Sequence, residues 1–265
     1  MKKLRTMVVD DSAFNRRALS GILMELPDVE VVAKAGDGSE ALRLAVELKP
    51  DLITLDLEMP RMDGFTFLRL LMAKQPTPVI VVSGYANKEN VFRALELGAL
   101  DFVAKPTRAV SSDLHQVRAE LIEKVAVVRH LSRLSGAGLI PASRPAKRTK
   151  HSREGRGRGL VVIGASTGGP TALVELFQHI PADLDATIVV AQHMPPRFTE
   201  TFAQRLDRLG GISVQQAGNA QRLRAGEAWI CPGGRCVELG ADGLLVVVDP
   251  DPADRYVPSV DRLFT

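Results

Sequence analysis

The feature that most constrains this sequence is a regular alternation, over its first 128 residues, of short apolar runs rich in β-forming residues with longer segments of helical periodicity. Strand, helix and strand in repeated succession predict a parallel sheet with helices on both faces. In a sheet of this kind the ligand crevice lies at the carboxyl ends of the strands. The predicted strands are Arg5–Val9, Val29–Ala35, Leu52–Leu55, Pro78–Ser83 and Leu100–Ala104, and the predicted helices are Phe14–Glu25, Gly38–Leu48, Gly64–Met72, Lys88–Leu97 and a fifth that begins at Ser112.

Length and charge distribution predict two domains and a linker. A chain of 265 residues exceeds the ~150 residues of an average domain, so we expect two domains. Residues 129–158 hold nine basic residues against one acidic residue, together with several glycines and prolines. That composition predicts a basic flexible linker between a first domain at 1–128 and a second at 159–265. Nucleic-acid binding through this linker is a weaker prediction than a solvated linker, because no aromatic residue lies among its charges. We therefore expect no nucleic-acid partner.

Composition excludes several classes of protein. Hydrophobic residues make up 45% and charged residues 25% of the chain, which is typical of a globular protein and excludes a disordered chain, a coiled coil or a fibre. No apolar run approaches the ~18 residues that span a bilayer, so we expect no membrane insertion and no export. Two cysteines, Cys231 and Cys236, are too few for a disulfide framework, which fits a cytoplasmic location. We expect both cysteines to lie in a structural turn and Trp229 to lie in the core.

Polar residues follow the predicted strands of the first domain and should meet at one edge of the sheet. Three carboxylates placed together repel one another unless a divalent cation lies among them, and oxygen ligands suit Mg²⁺. With the metal bound, a carboxylate can act as a nucleophile toward phosphorus. A single aspartate at a strand end more often caps a helix, but five coordinated positions favour the pocket. The residues concerned are Asp10, Asp11, Asp56, Ser83 and Lys105.

In these positions the first domain resembles the response-regulator receiver domain, over nearly all of residues 1–128. The resemblance rests on Val-Val-Asp-Asp-Ser-Ala-Phe from Val8, Asp-Leu-Glu-Met-Pro from Asp56 and Asp-Phe-Val-Ala-Lys-Pro from Asp101. It implies a flavodoxin-like fold, with Phe102 at the place of the family's rotating aromatic residue. It also implies the roles of the polar positions. Asp56 is the phosphoacceptor, and Ser83 and Lys105 form the phosphoryl switch pair. Mg²⁺ is held by Asp10, Asp11, Asp56 and the backbone carbonyl of Glu58.

The second domain carries a serine at a predicted strand-to-helix turn. The segment from Leu160 to Ile163 reads as a strand, and Gly164-Ala-Ser-Thr-Gly-Gly-Pro leads from it into a helix. Gly-x-Ser-x-Gly in that setting exposes a serine on a tight turn, although a glycine-rich turn that only binds phosphate remains the alternative. The next predicted strand ends in Gln192-His-Met-Pro, which brings His193 to the same edge as Ser166. A serine and a histidine on adjacent strand ends are what nucleophile activation requires.

Residues 159–265 resemble the catalytic domain of the chemotaxis protein-glutamate methylesterase family, CheB. The matching motifs are Gly164-Ala-Ser-Thr-Gly-Gly-Pro, Gln192-His-Met-Pro-Pro and Pro258-Ser-Val-Asp-Arg-Leu-Phe. The resemblance implies that Ser166 attacks the methyl ester of a receptor glutamate, with His193 as base and Thr167 in a supporting role. It further implies glutamine deamidation, chemoreceptors and a chemotaxis histidine kinase as partners, no cofactor in this domain, and relief of an occluded Ser166 by phosphorylation at Asp56.

One departure from the family pattern separates two predictions of function. The family's third triad member is an aspartate in a downstream Gly-Met-Gly-x-Asp-Gly segment that these 265 residues do not contain, and Asp261 belongs to the upstream motif. We therefore expect a C-terminally incomplete catalytic domain. The leading prediction is a phosphorylation-regulated methylesterase made of two doubly wound parallel-sheet domains, flavodoxin-like and Rossmann-like. The alternative is a phosphorylation-switched module that binds receptors or the kinase without catalysis. A transcriptional regulator would need a DNA-binding helix pair, which residues 159–265 do not offer.

Overall fold

Two compact units make up the chain, Met1–Pro141 and Ala142–Thr265. The structure is a computed structural model, and it describes residues 3–84, 88–105, 111–134 and 159–265. Of the helical residues 88, 111–116 and 130–134 only the backbone is described. No helix in the described part of the chain is both long enough and apolar enough to cross a membrane.

The first unit is a five-stranded sheet with strand order β2-β1-β3-β4-β5, parallel throughout. This confirms the predicted fold class, and each predicted strand is present to within a residue. Helices α1 and α5 pack on one face, where Leu23 and Leu121 join Val8 in a single core cluster. Met7 and Val9, which point to the other face, are also fully buried. The elements are β1 (Leu4–Val9), α1 (Ala13–Met24), β2 (Val29–Ala35), α2 (Gly38–Leu48), β3 (Leu52–Leu55), α3 (Gly64–Lys74), β4 (Val79–Gly84), α4 (Lys88–Glu96), β5 (Asp101–Lys105) and α5 (Ser111–Leu134).

Polar side chains at the starts of helices explain where three of these helices begin. Asp37 accepts hydrogen bonds from the backbone amides of Ser39 and Glu40 at 2.8 and 3.0 Å. Asp63 accepts from the amide of Thr66 at 2.7 Å, and Ser12 caps α1. Each cap satisfies an amide that has no partner inside its helix, which sets the first turn. Because Ser12 is the cap, helix α1 starts two residues after the aspartate pair that follows β1.

The second unit contains a four-stranded parallel sheet with order β6-β7-β10-β8. The predicted serine strand and histidine strand are its neighbours β6 and β7. A small antiparallel sheet, β11-β12-β9, was not predicted from the sequence. The elements are β6 (Gly159–Ala165), α6 (Gly169–His179), β7 (Ala186–Gln192), α7 (Pro196–Leu209), β8 (Ser213–Gln216), β9 (Gln221–Arg222), β10 (Glu227–Ile230), β11 (Cys236–Leu239), β12 (Leu244–Val248) and α8 (Val260–Phe264).

The two sheets of the second unit share one core. It contains Trp229 and Cys231, for which the sequence predicted structural roles. Trp229 and Cys231 are buried there beside Val237 and Leu245 of the antiparallel strands, and Val260 and Leu263 of α8 pack against them. Both cysteines are buried and unpaired. Burial raises the pKa of the Cys231 thiol to about 12, so this group stays protonated and acts as a small apolar residue.

The helix α5 extends beyond the predicted end of the first domain. It continues to Leu134, so residues 129–134 of the predicted linker are helical. The rest of that linker, 135–158, lies outside the described residues. The placement of the domains at 1–128 and 159–265 therefore stays a prediction.

Candidate functional site

Three aspartates of the first unit meet at the carboxyl end of its sheet. Asp10 and Asp11 directly follow β1, and Asp56 follows β3, its neighbour in the sheet. One carboxylate oxygen from each lies within 4.8 Å of the others. Asp10 is fully buried and Asp56 is 8% exposed, whereas Asp11 faces solvent. The donor set consists only of oxygen, and one side is open, which fits a hard divalent cation that keeps some of its water.

Lys105, the last residue of β5, joins two of these carboxylates. Its ammonium group lies 2.7 Å from Asp10 Oδ2 and 2.5 Å from Asp56 Oδ2. Burial raises the pKa of Asp56 despite the nearby lysine. Burial alone would lower the pKa of Lys105, but the two carboxylates outweigh it and raise that pKa. The lysine therefore stays charged and holds both carboxylates in place.

The second oxygen of each buried aspartate is oriented by donors from its own loop. Asp56 Oδ1 accepts from the amide of Leu57 at 2.7 Å. Asp10 Oδ1 accepts from the amide of Ser12 at 2.9 Å and from the side-chain amide of Asn15 at 3.2 Å. Each carboxylate is thus held in orientation at Oδ1 by a backbone amide, with Asn15 of α1 as a second donor to Asp10, while Lys105 binds its other oxygen.

Two further predicted residues of this pocket, Ser83 and Glu58, lie at the same edge of the sheet. Ser83 is buried near the end of β4, where the strand register pairs it with Ala104, the residue before Lys105. Glu58 lies in the exposed loop after Asp56, and its amide approaches Asp56 Oδ1 at 3.4 Å. Phe102 is buried, with the Lys124 ammonium 5.6 Å from its ring centroid. The structure therefore brings Ser83 and Glu58 to the edge where the aspartates and Lys105 lie, whereas Phe102 lies inside β5.

Sequence reasoning missed Arg16 in this pocket. Its guanidinium donates to the backbone carbonyls of Asp10 and Asp11 at 2.7 and 2.9 Å. These contacts hold the loop that presents both acidic side chains. The sequence shows a basic residue in the helix that follows an aspartate pair. It does not show that this residue binds the backbone carbonyls and not the carboxylates.

In the second unit the sheet brings Ser166 and His193 together. The register of β6 and β7 pairs Ala165 with Gln192, so the two residues that follow are level with each other. The His193 amide donates to the Ala165 carbonyl at 3.0 Å and continues this pairing by one residue. Ser166 Oγ lies 3.0 Å from His193 Nδ1. Both side chains are half-buried, so the pair is partly shielded yet open to a substrate.

The other ring nitrogen of His193 determines what this pair can do. Nε2 lies 3.0 Å from the backbone carbonyl oxygen of Pro258, which can only accept a hydrogen bond. The proton of the neutral ring is therefore on Nε2, and Nδ1 is left to accept the Ser166 hydroxyl proton. The ring of Tyr256 lies 5.3 Å from the imidazole, centroid to centroid, and bounds it on one side. The sequence pointed to the segment around Pro258 only as a family motif, and its contact with His193 was not predicted.

The turn after Ser166 places a helix N-terminus near the serine. Gly168, at the start of α6, has a φ of 79°, a conformation that glycine adopts without steric penalty. Pro170 occupies the first turn, and no side chain caps the helix. The positive end of the helix dipole thus lies close to Ser166, where it can stabilise negative charge on a reacting oxygen. Thr167 is half-buried in this turn, and its supporting role stays a prediction.

A receiver-type sheet with an acidic pocket and a second sheet with a serine–histidine pair define a class of protein, a response regulator joined to a serine hydrolase. Residues 6–116 match the family model of the response regulator receiver domain, and residues 161–265 match that of the CheB methylesterase. The chain belongs to the protein-glutamate methylesterase/protein-glutamine glutaminase family, and it is a hydrolase of that kind.

Three relatives carry this assignment. Protein-glutamate methylesterase/protein-glutamine glutaminase 3 of Geobacter sulfurreducens is 45% identical over 99% of this chain and 77% of its own length. The enzyme numbered 1 in Myxococcus xanthus is 46% identical over 98% of this chain and 75% of its own length. The enzyme numbered 6 in Anaeromyxobacter dehalogenans is 47% identical over 99% and 74%. Each alignment spans both units.

Proposed function

We propose that this protein hydrolyses glutamate methyl esters and deamidates glutamines on chemoreceptors, and that phosphorylation of Asp56 controls this activity in a cytoplasmic chemotaxis pathway with a histidine kinase. Ser166 is the nucleophile and His193 the base. The observation that carries the proposal is the 3.0 Å contact between Ser166 Oγ and His193 Nδ1, with the proton of the ring held at Nε2 by Pro258.

The mechanism follows from the tautomer of His193. Nδ1 takes the Ser166 proton as Oγ attacks the ester carbonyl, and the Pro258 carbonyl stabilises the resulting imidazolium through Nε2–H. The proton then passes to the leaving oxygen, which departs as methanol, or to the leaving nitrogen of a glutamine, which departs as ammonia. A water molecule, deprotonated by His193 in the same way, releases the glutamate and restores Ser166.

The acidic pocket suits Mg²⁺ and a phosphoryl group. Asp10, Asp11, Asp56 and the carbonyl of Glu58 are the residues that would hold the ion, because two buried carboxylates and an exposed one converge there. When bound, Mg²⁺ would offset the negative charge of the phosphoryl oxygens. Asp56 supplies the attacking carboxylate oxygen, and Lys105, already 2.5 Å from that carboxylate, is placed to pair with a transferred phosphoryl oxygen. We assign the Ser83 hydroxyl to the same phosphoryl group.

Methanol release from methyl-esterified receptor fragments tests the catalytic assignment. We expect Ser166→Ala and His193→Gln each to lower the turnover by roughly 10³-fold or more, as loss of a nucleophile or its base does in serine hydrolases. His179→Gln is the matched control, because His179 is exposed and its Nδ1 contacts the carbonyl of Glu175 within its own helix. Full turnover by Ser166→Ala would overturn the assignment. Receptor binding by a wild-type protein that releases no methanol would favour the non-catalytic binding module instead.

A further inference from the structure

A buried amide connects the two main-chain segments that carry the reacting side chains. We propose that Gln192 is a positioning residue, which sets the separation of Ser166 and His193 by donating to the backbone of both. This inference rests on the proposed roles of those two residues, and it adds a third to the site.

Gln192 lies at the end of β7 and is 1% exposed. Its side-chain nitrogen donates to the carbonyl of Ser166 at 3.0 Å and to the carbonyl of His193 at 2.9 Å. The first carbonyl belongs to the turn between β6 and α6, and the second to the connection between β7 and α7. One rigid amide group therefore links both loops just beyond the last paired residues of the sheet.

The hydrogen-bonding pattern fixes the orientation of this amide. An amide nitrogen carries two hydrogens, and two carbonyl oxygens face it, so both donors are used. The reversed orientation would direct Oε1 at two other oxygens with no hydrogen between them. A carboxylate of the same length, as in glutamate, has no donor when ionised. Among the natural side chains of this length, only glutamine offers both hydrogens in one plane.

The acceptor end of Gln192 indicates that packing alone does not account for the residue. Oε1 is buried and accepts no hydrogen bond from any described residue. A buried acceptor without a partner destabilises a fold, whereas methionine would fill similar space without that penalty. The feature that glutamine adds is its pair of donors, both of which point to the site.

The turn that bears Ser166 is shaped around the same amide. A Cβ atom on Gly169 would lie 2.0 Å from Gln192 Oε1 and 2.9 Å from the Cβ of Ala165. The absence of a side chain at Gly169 lets the start of α6 approach Gln192 closely. The Ser166 carbonyl also accepts from the Gly169 amide at 2.8 Å, so it keeps one partner when the Gln192 amide is removed. Loss of Gln192 should therefore loosen the position of the serine without unfolding its turn.

The primary test compares steady-state kinetics of the whole protein with those of Gln192→Met. We expect kcat for methyl-ester hydrolysis to fall by roughly 10- to 100-fold, because small misplacements of reacting groups have effects of this size. KM should stay within about twofold, since a fully buried side chain does not touch the substrate. The rate at which a fluorophosphonate labels Ser166 should fall in parallel with kcat.

Thr187→Val is the matched control, on the same strand but at its opposite end. The Thr187 hydroxyl is buried and donates to the carbonyl of Arg224 at 2.6 Å, so the variant also loses a buried bond from a side chain to the main chain. We expect its kcat to equal that of the wild type. Gln192→Glu is a second variant, also expected to lose kcat, because a carboxyl group has at most one hydrogen to donate to the two carbonyl oxygens.

The outcomes separate this inference from the proposed function. If Gln192→Met is folded and its kcat stays within twofold of the wild type, or if Thr187→Val loses as much, Gln192 has no positioning role. If neither Gln192 variant folds while Thr187→Val does, the residue serves the fold and the inference is wrong. Activity that survives in Ser166→Ala contradicts the proposed function itself, whatever the Gln192 variants show.

Discussion

Single residues determine the chemistry of both candidate sites, and in the first unit the key residues are charged groups held in the interior. Asp10, Asp56 and Lys105 form one cluster, and Lys124 pairs with Asp101 at 2.8 Å below β5. A buried charge without a partner is strongly unfavourable, so within each cluster the acidic and basic residues stabilise one another. The two clusters differ in exposure: Asp56 and Lys105 of the first are partly exposed, whereas the second is enclosed.

Phosphorylation tests the accessible cluster. With Mg²⁺ and a small phosphodonor, the protein should gain one acid-labile phosphoryl group, because Asp56, unlike the fully buried Asp10, is a partly exposed carboxylate that Lys105 and a loop amide orient. Asp56→Asn should abolish the labelling, which mass spectrometry of the intact protein can follow. Asp51→Asn is the control, because Asp51 lies at the other end of β3 and accepts from the amide of Arg5. Labelling of Asp56→Asn at the wild-type level would refute the assignment of the phosphoacceptor.

Urea unfolding tests the enclosed pair. Lys124→Met leaves Asp101 without its ammonium partner and should lower the free energy of unfolding by about 3–5 kcal/mol. Replacing both residues, as Lys124→Met with Asp101→Leu, should recover a large part of that loss. An equal loss in the single and double variants would show that packing, and not the ion pair, is responsible.

The same pair predicts a pH dependence. Burial alone would lower the pKa of Lys124, but the charges of Asp101 and Glu120 outweigh it and raise that pKa above the ordinary 10.5. A raised pKa means that the pair stabilises the fold fully below pH 10.5 and loses this contribution as the pH rises through the folded-state pKa. The difference in unfolding free energy between wild type and Lys124→Met should therefore be constant from pH 7 to 10 and shrink above it. A difference that grows with alkaline pH would contradict the argument.

At the level of elements, the short helix α8 depends on contacts with the residues around it. Helix α8 has five residues, too few to be stable by itself. Arg262 within it contacts Glu238 at 2.9 Å and Asp254 at 3.0 Å. The ion pair with Glu238 joins to β11 the segment that carries Pro258, the partner of His193 Nε2, and the pair with Asp254 holds the loop before it.

Kinetics of Arg262→Met test whether this fastening matters for the site. We expect kcat to fall by roughly tenfold, because the Pro258 carbonyl becomes less well placed to hold the His193 tautomer. Arg235→Met is the control, since Arg235 is joined to the same sheet but pairs with the exposed Asp249. A variant of Arg262 with unchanged kcat would show that packing of Val260 and Leu263 suffices to place the segment.

Helix α2 ends in a left-handed residue that is not glycine. Lys49 caps the helix with a φ of 45°, which costs free energy for any side chain with a Cβ. We expect Lys49→Gly to raise the free energy of unfolding by about 1 kcal/mol. Glu47→Gly, inside the last turn, should lower it by about the same amount. Thermal or urea unfolding measures both, and destabilisation by Lys49→Gly would contradict this explanation.

Over the whole molecule, the described residues of each candidate site come from one unit. Asp10, Asp56 and Lys105 come from the first unit, and Ser166 and His193 from the second. Any control of one site by the other must therefore pass between units that each have their own core. This division makes the two chemistries separable by mutation.

Paired assays on the full chain test the proposed control. A phosphodonor with Mg²⁺ should raise methanol release by the wild type, and this stimulation should be absent in Asp56→Asn. The Ser166→Ala variant should still take up one phosphoryl group, because the substitution leaves the acidic pocket of the first unit unchanged. If Asp56→Asn is stimulated as strongly as the wild type, phosphorylation of this residue does not control the hydrolase.

The sequence by itself determined the five strands of the first sheet, the neighbouring strands β6 and β7 of the second, and the positions of the residues at the ends of these strands. Asp10, Asp56 and Lys105 each follow an apolar run, and the end of such a run is a local property that side-chain periodicity reveals. The same holds for Ser166 and His193, which follow β6 and β7. Parallel strands then bring their carboxyl ends to one edge whatever lies between them, so these residues could be placed together without coordinates.

Tertiary structure alone decided the contacts that orient these residues. The antiparallel sheet of β9, β11 and β12 was missed, because the pairing of these strands follows from the packing of the second unit and not from a repeated strand–helix pattern along the chain. Pro258 meets His193 across 65 positions of sequence through a backbone carbonyl, and every residue has one. Gln192 stands beside His193 in the sequence, yet only the approach of the β6–α6 turn gives its amide two acceptors. Periodicity records which face a residue occupies, whereas the partner of a particular atom depends on how distant segments pack.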